Sequence, residues 1–172
     1  NIKNEPLIIF IQHPVSNWLK TTKKNFKTIL HAIDELNLPT IIIGPNSDPG
    51  NLAMKLQYFK FKFLNKKVKF FKNLPEKIFI NVIKKSSVLL GNSSMGVLEA
   101  PLVKLPVVNV GLRQRDRQNA GNILFVKCNK NKIIKATKKS LYNKKYLKKI
   151  RNLKNPYGAY GAPEKVVKIL SK

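Results

Sequence analysis

A chain of 172 residues is long enough for one domain with a buried core, and no apolar run in it approaches the ~18 residues of a membrane span. Its 34 Lys+Arg against 8 Asp+Glu give a formal net charge of +26, a value that ordinarily points to nucleic acid or an anionic membrane. The single cysteine, Cys128, excludes an internal disulfide and has no companion ligands for a metal, which fits a reducing, cytoplasmic compartment.

The chain opens on Asn1 rather than Met, and residues 1–10 lack a charged region followed by an apolar stretch and a cleavage site, so we expect no signal peptide and a start within a longer protein. A strand is expected over 7–12, ended by His13-Pro14. A helix over 21–36 follows, with Phe26, Ile29, Leu30 and Ile33 at helical spacing. The β-branched run 40–44 closes on Pro45-Asn46 and leads to a helix over 50–64. Residues 68–71 form a brief strand, Asn73-Leu74-Pro75 a turn, and 76–85 a helix with Ile78, Phe79, Val82 and Ile83 on one face. A strand at 88–91 pairs with a helix at 94–104, and further strands are expected at 106–110 and 123–126. The tail, 129–171, reads as two or three lysine-rich helices interrupted by Asn155-Pro156-Tyr157-Gly158. Strands alternating with helices argue for an α/β fold, a doubly wound parallel sheet of Rossmann-like type, in a single domain over 1–172.

Ligands of such sheets bind outside the carboxyl ends of the strands. Five strands here end in polar or turn-forming segments: Gln12-His13-Pro14, Gly44-Pro45-Asn46, Lys72-Asn73-Leu74-Pro75, Gly91-Asn92-Ser93-Ser94 and Gly111-Leu112-Arg113. Loops are polar in any case, and no one of these segments is persuasive without the others. In the fourth, a glycine after a strand and two serines opening a helix suit a phosphate, although Ser93 and Ser94 equally suit plain N-caps. Glu99 lies six residues beyond Ser93, about 9 Å along a helix at ~1.5 Å per residue, comparable to the distance from a pyrophosphate to the ribose hydroxyls of its nucleotide. An isolated surface glutamate is the competing reading. Arg113 offers a planar fork of donors for phosphates, while Arg113-x-Arg115-x-Arg117 also fits a solvated loop or a nucleic-acid backbone clamp. His13 follows the first strand, where an imidazole can donate to a departing phosphate; His31, within a helix, receives no role.

The charge admits two readings. Only four basic residues are arginines, the lysines spread along most of the chain, and Asn, Ile and Lys are abundant together. That pattern fits AT-rich codon usage better than a nucleic-acid footprint.

The motifs Gln-His-Pro-Val at 12–15, Gly-Pro-Asn at 44–46, Phe-Phe-Lys-Asn-Leu-Pro at 70–75, Gly-Asn-Ser-Ser-Met-Gly-Val-Leu-Glu-Ala at 91–100 and Val-Val-Asn-Val-Gly-Leu-Arg-Gln-Arg-Asp-Arg at 107–117 resemble, in order and spacing, hydrolysing UDP-N-acetylglucosamine 2-epimerases over about residues 7–170. The Asn-Ser-Ser string followed by Gly-x-Arg-Gln favours that branch over the non-hydrolysing one. The resemblance implies the second of two Rossmann-like domains of GT-B type, with the active site in the cleft between them. It implies elimination of UDP to a 2-acetamidoglucal and addition of water to give N-acetylmannosamine. The acids that move protons at the sugar would come mainly from the first domain, so this chain alone is expected to be inactive. By motif position, His13 would meet the phosphate side of the leaving UDP, and Asn46 and Leu74 would line the uridine pocket, Leu74 through its backbone. Ser93 and Ser94 would hold the pyrophosphate, Glu99 the ribose and Arg113 the phosphates.

The chain departs from the family at Ser16 and Asn17, at Asp48-Pro49-Gly50 and at Asp116, positions expected to lie away from the uridine contacts and to bear on the sugar instead. The expected partners are UDP-N-acetylglucosamine or UDP, the first domain of the same enzyme and further copies in a homo-oligomer, with no cofactor, metal, membrane or specific nucleic acid. A GT-B glycosyltransferase nucleotide domain and a basic nucleic-acid-binding protein are the alternatives.

Overall fold

The computed structural model describes residues 5–15, 19–158 and 161–171; Ser16 and Asn17 fall outside them. Six four-residue strands form one sheet in the order β3-β2-β1-β4-β5-β6, and every neighbouring pair is parallel. They are β1 (Ile8–Ile11), β2 (Thr40–Ile43), β3 (Val68–Phe71), β4 (Val88–Gly91), β5 (Val107–Val110) and β6 (Ile123–Val126). The central strands β1, β4 and β5 are buried at all four positions, as expected of strands covered on both faces, whereas the edge strand β3 alternates between half-buried and exposed.

The period of two along each strand divides the core. Ile8, Phe10, Ile42, Leu90 and Val108 pack on one face against α1 (Leu19–Leu36), α2 (Asn51–Lys60) and α5 (Lys130–Tyr142), through Phe26, Ile29, Leu30, Ile33, Met54 and Ile133. Ile9, Ile11, Leu89 and Val107 face the other way, onto Ile83 of α3 (Glu76–Lys85), Met95 and Val97 of α4 (Met95–Leu98) and Leu105. Two further helices, α6 (Lys144–Arg151) and α7 (Ala162–Leu170), complete the tail. Lys23 and Lys27 repel one another at i,i+4 on α1 at a cost of ~0.2–0.5 kcal/mol. Each fully buried apolar side chain on the opposite face contributes ~1.5–3 kcal/mol, so packing decides that this lysine-rich segment is helical.

Two elements differ from their expected extents. The second helix ends at Lys60 rather than 64, because Phe61 turns extended (φ −79°, ψ 120°) and its ring meets His31 edge to face at 4.8 Å, while Phe63 lies 6.0 Å from the Tyr58 ring. The helix expected over 94–104 is one α turn, Met95–Leu98, followed by a 3-10 turn, Ala100–Val103. Pro101 has no N–H to continue the α ladder, and Lys104 stops the segment in the left-handed conformation (φ 55°).

The strand order places the site. After β3 the chain crosses back to lay β4 beside β1, so the connections leave β1 and β4 in opposite directions and open a crevice at their carboxyl ends. Among the described residues, no helix is long and apolar enough to cross a membrane.

Candidate functional site

The crevice is built on a close approach that only glycine permits. Gly91, the last residue of β4, has φ +130°, and a Cβ there would stand 1.9 Å from the Ile11 carbonyl oxygen of β1. The chain then delivers Asn92, 1% exposed, into the gap between the two strands. Its backbone N–H donates to the Ile11 carbonyl at 3.1 Å. Its side chain closes a reciprocal pair with His13: the His13 N–H donates to Asn92 Oδ1 at 2.7 Å, and Asn92 Nδ2 donates to the His13 carbonyl at 2.9 Å. The Asn92 carbonyl in turn accepts from Arg113 at 3.2 Å and from the buried Gln114 side chain at 3.1 Å. One asparagine therefore ties the loops after β1, β4 and β5 together.

His13 is further fixed by the Asn46 backbone N–H, which donates to its Nδ1 at 3.1 Å. An imidazole that accepts at Nδ1 carries its proton on Nε2 and is neutral. Burial is the main cause lowering the His13 pKa below its ordinary value; the Arg113 guanidinium adds to this, and Asp48 opposes it. Geometry and electrostatics thus agree on a neutral ring with its proton on Nε2.

Of the residues expected to form the site, His13, Ser93, Ser94 and Glu99 line one cavity of about 770 Å³ at the carboxyl ends of β1, β2 and β4. Gly44 and Glu76 also border it, and Phe79, Ile80 and Ile83 of α3 with Leu102 and Val103 form an apolar wall. Arg113 reaches the site through Asn92 rather than by lining the cavity. Asn46 and Leu74 also stand off its wall. Asn46 is exposed and its amide donates to Asp48 Oδ2 at 2.7 Å; Leu74 is half-buried in the turn before α3. Asp48, expected to lie apart from the uridine contacts, thus holds one of the residues assigned to them.

The serine loop also differs from its expected form. Ser93 Oγ accepts the Met95 N–H at 3.3 Å, one residue ahead of the N-cap Ser94, whose own side chain makes no capping bond, and the Ser93 hydroxyl proton stays available to an anion. A four-residue helix has a weaker dipole than the one expected over 94–104, which leaves hydroxyls and loop N–H groups as the main attractants. Glu99 is exposed, with its N–H donating to the Met95 carbonyl at 3.0 Å, so helical spacing holds from Met95 to Glu99.

Sequence reasoning missed Asn92, Gln114 and the apolar wall. Asn92 and Gln114 stood inside quoted motifs, but nothing local marks an asparagine as a cross-strand clamp. Among the described residues no three His, Cys, Asp or Glu side chains come together as metal ligands.

Fold and crevice together define the class: a Rossmann-like α/β domain with its cavity at the topological switch point. The family profile described as UDP-N-acetylglucosamine 2-epimerase matches residues 1–171, and the chain belongs to that family. It is 30% identical over 167 residues to the UDP-N,N'-diacetylbacillosamine 2-epimerase (hydrolyzing) of Legionella pneumophila, covering 97% of this chain and 43% of that protein. It is 33% identical over 124 residues to the GDP/UDP-N,N'-diacetylbacillosamine 2-epimerase (hydrolyzing) of Campylobacter jejuni, covering 70% of this chain and 32% of that protein. The fold superposes on the UDP-GlcNAc 2-epimerase of Neisseria meningitidis solved bound to UDP-GlcNAc, with a TM-score of 0.78 at 21% identity over 98% of this chain and 45% of that one. The chain spans less than half the length of these relatives.

Proposed function

We propose that the chain is the UDP-binding C-terminal half of a hydrolysing 2-epimerase acting on a UDP-linked 2-acetamido sugar, UDP-N-acetylglucosamine in the first instance. The observation that carries this reading is the meeting of His13, Ser93, Ser94 and Glu99 in one cavity at the switch point. The word "hydrolyzing" in the names of the Legionella and Campylobacter relatives supports the branch, and their bacillosamine substrates keep a 4-acetamido variant of the sugar open.

In the proposed reaction the C2 proton and the C1–O bond are lost together, UDP leaves, and water adds to the 2-acetamidoglucal to release N-acetylmannosamine. The chain's own residues hold the leaving group. Ser93 and Ser94 donate to the pyrophosphate, and Glu99 accepts from the ribose hydroxyls. Neutral His13 directs its Nε2–H at a phosphate oxygen, a role that suits the tautomer its Asn46 contact selects. Arg113 lowers the cost of the gathering negative charge from beyond Asn92. Asn46 and the Leu74 backbone reach the uridine only if the loops after β2 and β3 close over it. The acids that move protons at the sugar would come mainly from the first domain of the enzyme, as the resemblance implies.

The Glu99 assignment is tested by titrating UDP and 2′-deoxy-UDP into the wild-type chain and Glu99→Ala in a calorimeter. The wild type should prefer UDP by about tenfold and the variant should lose most of that preference, because a charge-assisted hydrogen bond is worth ~1.5 kcal/mol or more. A folded variant with an unchanged ribose preference removes Glu99 from the site. Supplied with UDP-N-acetylglucosamine, the 172 residues alone should form no N-acetylmannosamine, and appreciable turnover would refute the half-enzyme reading.

A further inference from the structure

A second cavity, about 670 Å³, lies between α1, α2 and the segment that follows α2. Its walls carry Lys23 and Lys27 from α1, Lys60 from the end of α2, and Lys62 just beyond it. His31 continues the α1 stripe one turn after Lys27 and meets Phe61 edge to face at 4.8 Å, both residues lining the cavity. The one carboxylate in the lining, Asp34, accepts the Asn65 N–H through Oδ1 at 2.8 Å. The ion pairs found among the described residues, Lys67–Glu5 and Lys130–Glu35, engage other lysines.

Four lysines from two helices and a loop, all exposed, therefore border one concave surface. Scattered lysines on convex surfaces are screened by water and salt. In a cleft with low-dielectric walls their fields add, and the like-charged pair Lys23–Lys27 destabilises α1 unless an anion lies between them. The cavity also sits toward the amino-terminal edge of the sheet, since Asp34 ties it to Asn65, which precedes β3, and α1 ends there before entering β2. It shares no lining residue with the crevice that holds His13 and Ser93.

We propose that this cavity is a binding site for a compact polyanion, a small molecule bearing two or more phosphate groups. Lysine is a point-charge phosphate binder with three donors, and four of them call for more than one negative charge on the ligand. A cavity of about 670 Å³ accommodates a small ligand. An occupant here would not compete for the nucleotide crevice, so the proposal stands apart from the assignment of that crevice.

The probe is tripolyphosphate, titrated calorimetrically into the full chain at about 0.15 M salt with UDP saturating, so that surface contacts are largely screened. One-to-one binding is expected, weakened by about tenfold or more in Lys27→Gln/Lys60→Gln, since two charge-assisted contacts are removed. The control Lys144→Gln/Lys145→Gln, which removes the same charge from exposed positions on α6, should bind as the wild type does. Both double variants should keep the wild-type circular dichroism and melt no lower than the wild type, Lys27→Gln/Lys60→Gln slightly higher because it relieves the Lys23–Lys27 repulsion. Equal weakening in the two variants, or none in the first, overturns the site in favour of diffuse surface charge or the nucleotide crevice. Inorganic phosphate binding as tightly as tripolyphosphate overturns the polyanion assignment. Tighter binding of a single-stranded oligonucleotide, lost in the first variant, overturns it in favour of a nucleic-acid surface.

Discussion

His13 shows how one residue's surroundings become a pH dependence. Its pKa is lowered in the folded protein, first by burial and then by Arg113, so the unfolded chain takes up a proton before the native state does. Stability rises with pH wherever the unfolded state binds more protons. The His13 contribution is therefore complete above the ordinary histidine value of 6.5 and is lost as pH falls from there through the lowered native value. Urea unfolding between pH 7.5 and 5, roughly that window, should show a fall in stability with acid that is shallower in His13→Gln; an identical slope in the two proteins would count against a neutral, half-buried ring. Gly91 and Gly111 make a second comparison at this scale. Both have positive φ, +130° and +91°, but a Cβ at Gly91 meets the Ile11 carbonyl at 1.9 Å, whereas one at Gly111 meets nothing within 4 Å. Gly91→Ala should cost at least ~3 kcal/mol through forced separation of β1 and β4, against ~1 kcal/mol of backbone strain for Gly111→Ala. Similar unfolding midpoints for the two variants would contradict the close approach.

Helices of the tail hold their ends by local chemistry. Asn129 begins α5 in extended conformation with its side chain accepting the Lys132 N–H at 3.0 Å, and Asn143 begins α6 by accepting the Tyr146 N–H at 2.8 Å. Asn129→Ala and Asn143→Ala should each destabilise the protein by ~1 kcal/mol, and Asn→Ser should recover most of it. Thermal melts of the four variants check this; loss in both Ala and Ser variants alike would mean that the asparagines act through tertiary contacts. The short α4 teaches the opposite lesson. Its apolar spacing and serine start look like an ordinary helix, yet Pro101 and the left-handed Lys104 divide the segment. What survives is one α turn leading into Glu99, and little of the dipole.

For the whole molecule the net charge of +26 has a measurable consequence. The lysines are spread along most of the chain. Binding to DNA or RNA should be weak and non-specific, strong only at low salt and largely gone by about 0.2 M, because it rests on counterion release. Filter-binding or fluorescence titrations across salt, with two unrelated sequences, test it. Sequence-selective binding that survives that salt would restore the nucleic-acid reading.

The sequence by itself determined the alternation of strands and helices and, to within a residue, the strand bounds, because a run such as Ile8–Ile11 or Val88–Gly91 is apolar throughout and punctuated by its own turn residues. It determined the family as well, since the motifs at the strand ends carry their own order and spacing, and His13, Ser93, Ser94 and Glu99 were visible there as candidates. Tertiary structure alone decided which loops meet. The order β3-β2-β1-β4-β5-β6 brings residues 13, 92 and 113 together across about a hundred positions of chain, and no local propensity encodes that pairing. It also decided that Gly91 serves the contact with β1, that Asn92 is the clamp, and that Phe61 leaves the helix for a partner on α1. In each case the deciding energy belongs to a contact between segments distant in sequence, and it exists only once the sheet has formed.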